Sequence, residues 1–156
     1  MKVEGNMEKL NELHASHIGR VSVSFYASGA DLNPNDITEA TNIQPDAAVM
    51  RGDERRNIKG QLVSPQNEGY WMITSKEKVA SKDINDHFSF LLDLLLPQRE
   101  IILRLVRDAK GETDFSVLWE SSYLYAGTGP IISREVITGM SQLEASIGFD
   151  IYQIDE

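Results

Sequence analysis

Residues 81–97, SKDINDHFSFLLDLLLP, constrain the fold more than any other stretch of this chain. Ile84, His87, Phe88, Leu91, Leu92 and Leu95 recur at steps of three and four, so a helix gathers them on one face and turns Asp93 away from it. Ser81 is placed to cap the helix and Pro97 to stop it. A helix with one wide apolar face has to bury that face against a second layer.

The second layer is supplied by segments whose apolar period is two. Val21, Val23 and Phe25 alternate with Ser22, Ser24 and Tyr26, the pattern of a strand buried on one side. Tyr70 to Thr74 is rich in aromatic and β-branched types, and Phe115, Val117 and Trp119 alternate with Ser116, Leu118 and Glu120. Phe149 to Gln153 forms a last strand. Further helices are predicted at residues 7–17, after Asn33-Pro34, from about 98 to 109 with Gly111 as its left-handed cap, and from Ser133 to about Ser146 with Gly148 beyond it. Residues 57–68 read as an exposed loop.

Leu32, Ile37 and Thr38 reappear one hundred residues later as Ile132, Ile137 and Thr138, each time after a strand and a glycine-containing turn. Two strand–helix–strand halves side by side predict an α+β fold: a largely antiparallel, ferredoxin-like sheet with helices packed on one face. The predicted organisation is an N-terminal helical extension, residues 1–18, and a single α+β domain, residues 19–156.

The chain has 156 residues, no cysteine and a formal charge of -9. Without cysteine there is neither a disulfide framework nor thiolate chemistry, which fits a cytoplasmic protein. The N-terminus has no continuous apolar core of a signal peptide, and the apolar runs are too short to span a bilayer. An acidic chain is repelled by phosphate backbones, so neither nucleic acid nor an anionic membrane is expected as a partner; a basic protein is.

Catalytic sets are sparse. His14 and His17 stand three apart, but no third ligand completes a metal spacing, and no metal or other cofactor is expected. His87 sits at the edge of the Leu-rich face and reads as a boundary histidine with its hydrogen bonds satisfied. Gly-x-Ser-x-Gly and phosphate-loop motifs are absent, and a solvated Asp93 would lack the raised pKa that acid–base work at neutral pH requires. The expectation is therefore a non-enzymatic binding protein.

One cluster departs from the acidic background. VMRGDERRN, residues 49–57, holds Arg51, Arg55 and Arg56 around Gly52 and Asp53. With Lys59 and Glu54 the segment 51–59 carries +2, leaving -11 for the remainder. Arginine forks grip carboxylates and phosphates in pairs of bonds, and Trp71 with Tyr70 is a candidate stacking face beside them. Arg51, Asp53, Arg55, Arg56 and Trp71 are thus a candidate anion- or ligand-binding set. The other reading is that Gly52-Asp53 turns the chain and the arginines pair with neighbouring acids.

Taken in order, VSFYASGADLNPNDITEATNIQPD, RGDERR, GYWMITS and DINDHFSFLLDLLLP resemble the bacterial domain of unknown function 4279. The elements carrying the resemblance are Gly29 to Leu32, Pro34 to Ile37, Ile43 to Pro45, Gly52-Asp53, Trp71 and His87 to Leu95, with GFDIY at the end. The resemblance covers residues 20–153 and implies an α+β fold in a bacterial cytosolic protein. It brings no catalytic residue or cofactor with it. On charge and size, an immunity-type protein that covers a basic toxin is the first functional expectation, and an anion-binding module built on the Arg51–Arg56 loop the second.

Overall fold

A computed structural model of the protein describes residues 17–122 and 129–154. Its elements are β1 (Ile18–Gly29), α1 (Pro34–Thr41), β2 (Ala47–Val49), β3 (Arg55–Arg56), β4 (Leu62–Val63), β5 (Gly69–Thr74), α2 (Ile84–Leu95), α3 (Arg99–Asp108), β6 (Gly111–Ser122), α4 (Arg134–Gln142) and β7 (Ser146–Ile154). The helix predicted for residues 7–17 lies outside the described residues except for His17.

The alternation beginning at Val21 continues to Gly29, and β1 becomes the central strand. It pairs antiparallel with β5 on one side and with β6 on the other, while β2 extends the sheet beyond β5 and β7 beyond β6. The order is β2-β5-β1-β6-β7, and only β6 and β7 are parallel. This is an α+β fold with a largely antiparallel sheet, as the residue pattern predicts. Its two halves close differently. β6, α4 and β7 form a βαβ unit, whereas β1 and β5 run antiparallel and are linked through α1, β2 and the small β3–β4 hairpin.

The core lies on the sheet face that carries Val23, Phe25, Ala27, Trp71, Ile73, Phe115 and Val117. All six residues expected on the apolar face of α2 are buried there. Phe88 packs on Phe115 with ring centres 5.4 Å apart, and Phe115 on Phe25 at 5.2 Å. Each fully buried Phe or Leu contributes about 1.5–3 kcal/mol by leaving water, so this face alone anchors the helix.

His87 is 1% exposed. The Ser81 carbonyl, which can only accept, lies 2.6 Å from its Nε2, so Nε2 carries the proton. In the neutral ring Nδ1 is then the acceptor for the Ser75 hydroxyl at 2.7 Å, and the Ser75 oxygen in turn accepts Val23 N–H at 2.9 Å. The chain of bonds ties α2 to the middle of β1.

Local chemistry explains the ends. Asn33 caps α1 through Asn35 N–H with Pro34 in the first turn, and Ser133 caps α4 through Val136 N–H, both as predicted. The cap of α2 is Asp83 rather than Ser81; Ser81 sits two residues earlier and accepts Asp83 N–H. α2 ends at Leu95, and a 3-10 turn, Leu96–Gln98, carries Pro97 before α3 begins. The left-handed residue after α3 is Lys110, not Gly111. Gly111 is needed for another reason: a Cβ there would lie 1.9 Å from the Ser28 carbonyl oxygen, and one at Gly69 would lie 2.0 Å from that of Leu32. Both glycines pair with Gly29, so three strands close together at one end of the sheet. α4 stops at Gln142, four residues short of the expected end, where Glu144 turns left-handed, and Gly148 falls inside β7.

Gly69→Ala and Gly111→Ala should each lower unfolding stability in urea by about 1–3 kcal/mol or more, because the obstructing atoms are backbone. Gly148→Ala, which meets nothing within 4 Å, should leave the midpoint nearly unchanged.

Candidate functional site

The ladder between β1 and β6 shifts register between Ile18 and Val21. At this bulge Arg20 N–H donates to Glu120 Oε2 at 2.9 Å, and the guanidinium grips Oε1 through Nε at 2.9 Å and Nη2 at 2.6 Å. Glu120 is nearly buried and Arg20 mostly exposed. The bonds from Arg20 hold the Glu120 carboxyl below the usual carboxylate range. The clamp sets where His17 and Ile18 lie, and Ser122 N–H donates to His17 O at 2.8 Å.

Next to the bulge is a cavity of about 390 Å³. Its walls come from His17 and Ile18, from Trp119 and Ser121 near the end of β6, from residues 82–85 at the start of α2, and from Gly129, Ile131 and Ser133 ahead of α4. Asn85 laces the two helix starts together: its amide nitrogen donates to Ile131 O at 2.9 Å and its oxygen accepts Ser133 N–H at 2.8 Å. Trp119 is 6% exposed, and its Nε1 is buried without a hydrogen-bond partner among the described residues. A buried donor left unpaired costs about 1–3 kcal/mol. Native proteins rarely leave one so without a reason.

A second feature lies one strand away. β7 closes the sheet, and Ile147, Phe149, Ile151 and Tyr152 on it are 36%, 45%, 57% and 53% exposed. Ile147, Phe149 and Ile151 stand in register with Phe115, Val117 and Trp119, so they continue the core face past the edge of the helical layer. Edge strands in soluble proteins are usually short or blunted by lysine, proline or a bulge. β7 is nine residues long and has neither lysine nor proline.

The sequence-predicted set is placed differently. Trp71 is fully buried on the core face, where its Nε1 donates to Thr38 Oγ1 at 3.0 Å, so its ring offers no stacking surface to the arginines. Asp53 turns the chain: its Oδ2 accepts Met50 N–H at 2.8 Å beside Gly52 at φ 89°. Arg56 pairs with Glu54 at 2.6 Å and donates to Gly60 O; Arg51 approaches Asp31 at 3.9 Å. Arg55 is exposed on β3. The loop therefore neutralises two of its own charges on nearby acids. His14 lies outside the described residues, whereas His17 lines the cavity with Nδ1 3.2 Å from Ser122 Oγ. Among the described residues no group of three or more His, Asp or Glu is placed to hold a metal, and no helix is long and apolar enough to cross a membrane.

The cavity residues escaped the sequence reading because they come from four separate segments. Ser133 is visible there as a cap and Trp119 as a strand residue, but nothing in their spacing brings them together.

These features define a small α+β domain with an exposed apolar strand at one edge of its sheet and a walled cavity at the starts of two helices. The chain belongs to the family described as Domain of unknown function (DUF4279), whose model matches residues 18–154 and so takes in β1 through β7. No curated protein and no solved structure matches it.

Because Glu120 titrates below its ordinary range when folded, its contribution is present at neutral pH and is lost as pH falls through that lowered value. Glu120→Gln should therefore lower Tm at pH 7, and the difference from the parent should close in strongly acidic buffer, as read by thermal unfolding across pH.

Proposed function

We propose that this protein is a non-enzymatic binding module that seats an extended segment of a basic protein on the open edge of β7. The observation that carries the reading is that edge itself: a nine-residue strand with four exposed large apolar side chains and no cationic or proline guard. A strand added there would take up the outward backbone N–H and C=O groups, and Ile147, Phe149 and Ile151 would supply pockets for its side chains. Exposed apolar area concentrated in this way marks an interaction surface.

Charge supports a basic partner. β7 carries Asp150, and Asp114 faces its first residue, Ser146, across the ladder. Burial, then the neighbouring Glu112, raise the Asp114 carboxyl above its ordinary range, so a cation brought against it would be favoured. The whole chain, at -9, would draw a basic protein in over a distance and speed the encounter. An immunity-type protein that covers a basic toxin is the most concrete form of this function.

The test is capture from the source organism at low salt with the parent and with Ile151→Lys and Phe149→Glu, whose exposed positions leave folding nearly untouched. We expect one basic protein, retained one-to-one by the parent, released by high salt and bound at least tenfold more weakly by either variant. Hydrogen exchange of the purified complex should slow at β7. Equal retention by the variants, or protection away from β7, would defeat the reading. So would a concentration-dependent dimer abolished by Ile151→Lys, since the occupant would then be a second copy.

A further inference from the structure

The cavity beside the β1 bulge is separate from the β7 surface and carries its own chemistry. We infer that it binds a small organic carboxylate, an apolar body with a single anionic head. The body is matched by Ile18, Ile84, Ile131 and the ring of Trp119. The volume of about 390 Å³ falls within the roughly 300–1,000 Å³ typical of ligand pockets.

The head is specified by donors. Trp119 Nε1 is buried and has no acceptor among the described residues, although the indole ring borders the cavity. Lys82 lies in the same wall; one of its three N–H groups donates to Gly19 O, which leaves two for a ligand. Two helices of twelve and nine residues, α2 and α4, begin at the cavity wall, so the positive ends of their dipoles, capped by Asp83 and Ser133, lie there. Among the described residues Asp83 is the one acid in the wall. Its Oδ1 is occupied by Asn85 N–H and by the Asn85 amide, both at 2.9 Å, which offsets its charge without removing it. That residual charge selects a singly charged head over a phosphate dianion.

Phenylacetate is the probe, followed through the two indole N–H resonances, which Trp119→Phe assigns. Titration should move the Trp119 resonance downfield to saturation and leave that of Trp71, already bonded to Thr38, in place. Phenylacetamide should bind at least tenfold more weakly, and toluene should leave the Trp119 resonance where it is. Trp119→Phe should weaken phenylacetate at least tenfold when followed by calorimetry, and Lys82→Gln several-fold. If Trp119→Phe does not fold, Trp71→Phe assigns the resonances and the parent titration still decides. Absence of a saturable Trp119 shift, or equal movement of both indoles, overturns the site. An amide that binds as tightly as the acid overturns the carboxylate head.

Discussion

Strand β1 is hydrogen-bonded along both edges, and every other layer of the molecule is placed through it. Its core side, Val23, Phe25 and Ala27, lies between the matching rows of β5 and β6 and is roofed by α2. The His87–Ser75–Val23 chain of bonds locks helix to strand where apolar contact alone would leave the helix able to slide. At one end Gly29, Gly69 and Gly111 let three backbones converge. At the other end the ladder breaks, and Glu120 takes up the Arg20 amide that the bulge would otherwise leave unpaired.

That second end holds the cavity. The bulge shifts the pairing by one position, so that Ile18 faces Ser121 on β6 and, with His17, forms a wall of the cavity. Trp119 sits between Val21 and Ile151 in register, so the strand that lines the cavity also supports the exposed edge. The two candidate surfaces are thus built on one strand. They differ in kind: one is a half-open cavity between two helix starts, the other is an exposed apolar strand flanked by acids.

Much of the fold was legible locally. The burial of α2 follows its spacing residue by residue, the caps Asn33 and Ser133 act as their chemistry dictates, and the alternation at 21–26, 70–74 and 115–120 marks strands. Strand ends were less legible, since β1 and β6 reach twelve residues each only through mutual pairing. Gly111 shows why: a glycine after a helix reads as a cap, yet its role is set by the Ser28 carbonyl, more than eighty positions away. The arginine cluster shows the same dependence on distant residues. Its composition stands out in an acidic chain, but the acids that pair with it and the burial of Trp71 depend on folding. Trp119, an ordinary strand residue by pattern, has the unpaired donor.

The amino-acid sequence by itself determined which segments coil and which extend, which face of each is apolar, the acidity of the whole and the membership of the family. These properties rest on neighbours within a few positions, and a linear text records them. Tertiary structure alone decided the strand order, which strand came to expose its apolar side chains, and which distant side chains share a cavity. Those outcomes arise from pairings between segments far apart in the chain, where loop closure, register and steric fit act together and no short window holds the information.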